Sequence, residues 1–369
     1  MTEDLTLSCF FSTRTMLHYS EKNAIMVIQR RGKYKSSEVN GGADYMAEIC
    51  KECSSPLVNG FCTACGYDNG KEIGLNALSS GNILVDRYVL GRVIGAGGFG
   101  ITYLAYDTEC GKRVAVKEYY PKGIAIRGLD NETIEPIASF HAEEFRLCSE
   151  RFKNEAEILS DLADNIEDII KVYDIFAQNG TFYYAMELVD GITLEEYTVK
   201  FGKISERQAL YMAYSIAMVF EHIHNRNVIH RDLAPNNIMV TANGRIKLVD
   251  FGNARPFFYN GKNSMTVALK PGFAPLEQYQ HHGNHGPWTD FYSLGMVLYY
   301  ALTLSTPDDP MTRLDDDSEF QNNILQLEPR LAAVIERMSA IRVEERYSHS
   351  GELLSDLKLI GTMPERFEL

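Results

Sequence analysis

The segment Val228–Val240, VIHRDLAPNNIMV, restricts what this chain can fold into more than any other. Its two ends are apolar and β-branched, the composition of short strands buried in a core. Between them lie His230, Arg231, Asp232, Asn236 and Asn237. Polar groups packed that densely beside a core cost desolvation unless each has a partner or a chemical task. The loop therefore marks a site. Ala234, in its middle, is the position whose chemistry needs explaining.

The 369 residues suffice for one large domain or two ordinary ones. With 45% hydrophobic and 23% charged residues, wholesale disorder is excluded. A net charge of −14 argues against a general nucleic-acid binder, whose phosphate contacts require clustered Lys and Arg. No apolar run reaches the length of a membrane span, and the N-terminus lacks a secretory layout, so the expected location is the cytoplasm. Of the seven cysteines four form one tight cluster, which suggests metal binding in a reducing compartment and not a disulfide scaffold.

Residues 1–45 carry no clear helical or strand period. Two readings stand: a disordered tail, or an upstream region read as protein, with translation starting at Met46. Gly41-Gly42, three codons before that Met, can be encoded as a purine-rich ribosome-binding signal. Residues 46–70 contain Cys50-x-x-Cys53 and Cys62-x-x-Cys65. Each pair can aim two thiolates at one point, and four thiolates complete a closed tetrahedral shell for structural Zn²⁺. A redox dithiol is the rival reading, but it needs one reactive pair and not two matched ones. The segment is similar to small zinc ribbons. With two Lys against four Asp or Glu over residues 46–80, it suits contact with a protein, a regulator or a substrate. Residues 71–87 read as a linker, 88–360 as one continuous domain, and 361–369 as a C-terminal tail.

The domain opens on YVLGRVIGAGGFGITYLAYD, with Gly95, Gly97, Gly98 and Gly100 between strand-like runs. Taken alone, such a glycine pattern is as compatible with a flexible hairpin. A dinucleotide fold would continue into a helix, whereas this sequence continues as a second strand. A glycine hairpin of that kind can lay backbone N–H groups over phosphates. The next strand, RVAVKEYY, holds Lys117 among valines and an alanine, where an ammonium needs a partner. The helical stretch ERFKNEAEILSDL supplies one: Glu155 first, Glu157 second. Between strand and helix, GIAIRGLDNETIEPIASF predicts an additional hairpin.

Taken in order, Gly95-x-Gly97-x-x-Gly100, Val-Ala-Val-Lys117, His230-Arg231-Asp232-Leu233-x-x-x-Asn237, Asp250-Phe251-Gly252, APLE ending at Glu277, and TDFYSLG resemble the protein kinase catalytic domain. The layout, with KEYYP, KPGFAPLEQY and GPWTDFYSLG, is most similar to a group of bacterial serine/threonine-type kinases. The resemblance implies an α+β fold of two lobes, a β-rich N-lobe at 88–187 and a helical C-lobe at 188–360. It implies ATP with Mg²⁺ (or Mn²⁺) as cofactors and protein substrates as partners. Asp232 would orient the attacking hydroxyl and accept its proton. Asn237 and Asp250 would hold the metal, and Lys117, fixed by Glu155, the α- and β-phosphates. Glu187 and Val189 would touch adenine through backbone groups, with Met186 as gatekeeper. His230 is expected to be a packed structural residue, Asp290 to hold the catalytic loop, and Glu277 to pair with Arg346.

The family usually places a lysine where this chain has Ala234, and a threonine where counting back from Glu277 gives Lys270. A lysine lost from one wall and gained on the facing one suggests that Lys270 supplies the missing charge. The bland alternative is an ordinary loop lysine. Arg231 suggests control by a phosphate, with Ser264 or Thr266 as acceptor. Two other functions remain in view: a pseudokinase scaffold acting through its zinc ribbon, and a small-molecule kinase. The presence of Lys117, Asp232, Asn237 and Asp250 disfavours the first, and the Glu277–Arg346 pair the second.

Overall fold

The structure, a computed structural model, describes residues 76–163, 166–251, 255–256, 269–280 and 283–368, residue 50, and the strands Ile25–Gln29, Lys33–Ser37 and Tyr45–Met46. Those three strands pair antiparallel. Strand structure at 25–29, 33–37 and 45 is thus present where the sequence showed no clear strand period, and the other residues of 1–45 lie outside the described residues. So do Cys53, Cys62 and Cys65; of the expected zinc ligands only Cys50 is described, and it is buried.

From residue 83 the chain builds one antiparallel sheet of six strands: β1 (Ile83–Leu84), β2 (Tyr88–Ala96), β3 (Gly100–Asp107), β4 (Lys112–Tyr119), β7 (Val172–Gln178) and β8 (Thr181–Met186). Their order is β7-β8-β4-β3-β2-β1. The predicted extra hairpin is present as β5 (Ala125–Arg127) and β6 (Ile134–Pro136). Helix α1 (Ala142–Ala163) follows it. Phe145, Phe152, Ala156, Leu159 and Ala163 recur at helical spacing and are buried, so α1 lays one apolar stripe on the sheet.

The strand carrying Lys117 is therefore covered on both sides. Helix α1 packs on one side, and Leu78, Ala125 and Ile134 share the same core with Tyr103 and Tyr183. The stretch read as a linker is integral to this lobe from Asn76 onward, since Leu78 and Leu84 are buried and β1 adds an edge strand.

Residues 187–190 connect to β9 (Gly191–Thr193), helix α2 (Leu194–Phe201) and the rest of a helical lobe. Its centre is α3 (Glu206–His224) beside α4 (Pro287–Thr303). A capping box, Ser205 with Gln208, starts α3 by satisfying two end N–H groups. Helix α4 is buried almost all round, as its apolar sequence requires. The polar loop opens with β10 (Val228–Ile229) and returns through β11 (Ile238–Thr241) and β12 (Ile246–Leu248). Its two apolar ends are thus short buried strands, as the sequence indicated.

Glu277 and Arg346 form the expected brace, at 2.8 and 3.2 Å, with carbonyls of Trp288, Ala340 and Ile341 taking the remaining guanidinium N–H groups. Removing one partner of so buried a pair costs about 3–5 kcal/mol. The C-terminal tail is also docked: Phe367 is buried beside Tyr197, and its N–H donates to the Gly244 carbonyl.

Candidate active site

Two walls face each other across the cleft. On the sheet side, Lys117 Nζ lies 3.3 Å from Glu155 Oε1 and 3.1 Å from Asp250 Oδ1. Glu155 is the partner that helix geometry selects, because it falls on the buried stripe of α1. Glu157 faces out and pairs with Lys153 at 3.4 Å. Tyr184, which the sequence reading did not single out, donates to Glu155 Oε1 at 3.2 Å, and its ring lies 5.6 Å from Lys117 Nζ. Burial works against the Lys117 charge, yet Asp250 and Glu155 hold its pKa well above the ordinary value. Burial pushes the Glu155 carboxyl up, with Lys117 opposing.

The glycines divide by task. A Cβ on Gly97 or Gly98 would meet nothing within 4 Å, so this exposed turn is open to a bulky ligand. A Cβ on Gly100 would come 2.5 Å from the Glu118 carbonyl, so glycine there serves strand approach. The Gly97 N–H closes the turn on the Gly100 carbonyl at 2.9 Å and is not a phosphate donor in this arrangement.

On the helical side, Asp290 organises the polar loop. Its carboxylate accepts from the backbone N–H of His230 and of Arg231, each at 2.8 Å, and contacts His224 Nε2 at 2.8 Å. Burial pushes Asp290 up, but His224, His230 and the Arg231 N–H together outweigh it and hold the carboxyl below its usual range. These bonds hold Arg231 at φ 64°, a left-handed conformation that a non-glycine residue adopts only when its surroundings enforce it. His230 is buried 4.5 Å from the Phe251 ring, and burial takes its pKa down to about 4. It is a neutral packing residue at pH 7.

Asp232 lies at the mouth of this loop. Burial pushes its pKa up to about 6 against the pull of Lys270. Asn237 donates its amide nitrogen to the Asp232 carbonyl at 2.8 Å and to Oδ2 at 3.2 Å, which leaves its amide oxygen for a hard cation. Asp250, at φ 114° and 3.1 Å from Lys117 Nζ, offers a second hard oxygen donor. Lys270 Nζ stands 3.3 Å from Asp232 Oδ1 and donates to Asn236 Oδ1 at 3.0 Å. Its ammonium is thus beside the carboxylate that Ala234 leaves without a neighbouring lysine. Asn236 belonged to the polar loop in the sequence but gave no sign of this contact.

Glu187 lies between the lobes, its N–H donating to the Lys171 carbonyl at 2.8 Å and its carboxylate 2.8 Å from Lys247. Val189 is partly buried against the helical lobe's core. Ser264 and Thr266 lie outside the described residues, as does Gly252. Among the described residues no group of three or more His, Cys, Asp or Glu forms a metal cluster, and no helix is long and apolar enough to cross a membrane.

Comparison with known proteins places this geometry. The protein kinase domain family matches residues 88–359. Serine/threonine-protein kinase PknA of Nostoc sp. is 31% identical over 287 residues, covering 75% of this chain and 48% of that protein. Serine/threonine-protein kinase PknB of Mycolicibacterium smegmatis is also 31% identical, covering 74% of this chain and 43% of its own length. The chain spans about half the length of the curated relatives it matches. The solved structure of PpkA-294 in its apo form aligns with a TM-score of 0.64 at 29% identity, covering 76% of this chain and 99% of that one.

Proposed function

This chain belongs to the protein kinase family, and on that premise we propose that it transfers the γ-phosphoryl group of ATP to Ser or Thr hydroxyls of protein substrates. One observation carries the reading: Lys117, Asp250, Asn237, Asp232 and Lys270, drawn from five separate sequence positions, converge on one cleft. A scaffold without activity would not need all five.

Phosphoryl transfer is mostly positioning and charge neutralisation. Lys117, locked by Glu155, holds the α- and β-phosphates under the open turn at Gly97 and Gly98. Backbone groups of Glu187 and Val189 take the adenine. The Asn237 amide oxygen and the Asp250 carboxylate hold Mg²⁺, which neutralises phosphate charge when bound. Asp232 orients the incoming hydroxyl and takes its proton, and Lys270 neutralises the transferred group where Ala234 cannot. The four cysteines at 50, 53, 62 and 65 have the donor chemistry of a closed, structural Zn²⁺ site, which fits a protein-contact module in a reducing cytoplasm.

Incubation with labelled ATP and Mg²⁺ beside an Asp232→Asn control tests the reading. Label on this chain or an added protein, lost in the control, supports it; nucleotide binding with no transfer by either protein moves the chain to the scaffold class.

A further inference from the structure

Arg231 precedes the base and is held at φ 64°, a left-handed conformation that its own side chain disfavours. Asp290 grips one end of it, accepting from its N–H at 2.8 Å. Gln278 grips the other end, its Nε2 donating to the Arg231 carbonyl at 2.9 Å. That carbonyl belongs to the peptide unit leading into Asp232, and the N–H of the same unit donates to His230 Nδ1 at 3.2 Å. The unit is therefore fixed on both edges. Turning it over would break both bonds and carry the Asp232 side chain with it.

Gln278 is itself well anchored. It closes the short turn Leu276–Gln278, its N–H donating to the Pro275 carbonyl at 3.0 Å. Glu277, in the middle of that turn, pairs with Arg346 and accepts from Thr289 Oγ1 at 3.0 Å. The brace lies in the helical lobe, and Gln278, one residue on, extends it to the loop that bears the base. Gln278 also lines the same small cavity as Asp232 and Lys270. Its amide oxygen is buried with no hydrogen-bond partner among the described residues. An apolar side chain of similar length would avoid that desolvation cost. The Arg231 contact is what offsets it.

We propose that Gln278 is a positioning residue for Asp232, holding the Arg231–Asp232 peptide in the orientation that aims the carboxylate at the incoming hydroxyl. The proposal rests on the role of base given to Asp232. The carbonyl of Arg231 accepts only, so position 278 must supply a donor. Without one, the left-handed residue is free to relax and the base moves with it. A misplacement of about 1 Å suffices to cost about 10²-fold in rate. The facing wall of Lys117 and Asp250 is not touched by Gln278, so nucleotide binding and transfer should separate.

The test makes two measurements on the full chain. One is equilibrium binding of a non-hydrolysable ATP analogue with Mg²⁺; the other is the transfer rate at saturating ATP to an acceptor that the unaltered chain labels. Gln278→Met keeps the length and loses the donor. It is expected to lower the rate about tenfold or more while analogue affinity stays within about twofold. In an Asp232→Asn background the same change is expected to cost less than about twofold, because the group it positions is gone. A purely structural Gln278 would weaken binding and transfer together, or cost the same in both backgrounds; either result overturns the proposal. So does a Gln278→Met rate within about twofold of the unaltered chain. Should Gln278→Met fail to fold, Gln278→Leu is read in the same way. A harmless Gln278→Met beside an inactive Asp232→Asn defeats the proposal and leaves the kinase reading standing. An unaltered chain that binds the analogue but labels nothing defeats both.

Discussion

Two lysines face carboxylates in the cleft, and they are held by opposite strategies. Lys117 projects from a strand, directly after the apolar run Val114-Ala115-Val116, and sits between Glu155 and Asp250 with the Tyr184 ring beside it. Lys270 leaves a stretch without regular structure, remains 29% exposed, and is held by Asp232 and by the neutral side chain of Asn236. The first is rigid because apolar packing and two charges leave it no other position. The second is placed by two polar contacts on a flexible stem, which can be moved to another backbone site. A charge required by the chemistry can therefore migrate in the chain only on the side of the cleft where packing does not define its origin.

The comparison can be broken first at the carboxylate that the mobile lysine serves. Asp232→Asn should lower transfer by about 10³- to 10⁴-fold, near the upper range for a general base, with analogue affinity nearly unchanged. A comparable loss of affinity would make Asp232 a binding group and remove the basis for pairing it with Lys270. Lys117→Met comes next. Losing this donor should cost about 10³-fold in transfer and weaken nucleotide binding as well, since no nearby backbone site can return a cation to that wall.

Lys270→Met should cost about 10²-fold, read in kcat more than in nucleotide affinity. Here the contrast is sharpest, because the missing charge can be supplied from the other wall. Lys270→Thr combined with Ala234→Lys should recover about tenfold or more of the loss. No equivalent rescue is expected for Lys117. Activity of Lys270→Met within a few-fold of the unaltered chain would make Lys270 an ordinary loop residue.

The same contrast decides what could be read in advance. Lys117 was legible because a cation in a Val-Ala-Val run demands a partner, and Glu155 could be preferred over Glu157 in that role. Lys270 became legible only when two departures, at Ala234 and at the threonine position, were set side by side. Asp290 and the Glu277–Arg346 brace followed from the resemblance and lie where it implied. Tyr184, His224 and Asn236 were not legible. Each acts through a neighbour far away in sequence, and single-chain periodicity carries no information about which strands or loops will meet. Gly100 carries a second constraint that its glycine pattern did not reveal: a Cβ there would meet the Glu118 carbonyl of the neighbouring strand.

The smallest effect concerns protons. Burial raises Asp232 to about 6, and the Lys270 ammonium is the strongest of the groups that pull it down, with the Asn237 amide the weaker one. The base must be ionised to accept a proton, so kcat should fall as pH drops through about 6 in the unaltered chain. Removing the ammonium in Lys270→Met takes away the downward pull while burial and Asp250 still act, so the acid limb must move to higher pH. Lys270→Arg keeps the charge and should leave the limb near its original place. Lys117→Met should also leave it there, because that lysine is paired with Glu155 and Asp250 and not with Asp232. A pH–rate profile of the residual activity of each variant reads this directly. Equal displacement by both lysine variants would mean that Asp232 senses the total charge of the cleft and not the neighbour 3.3 Å away.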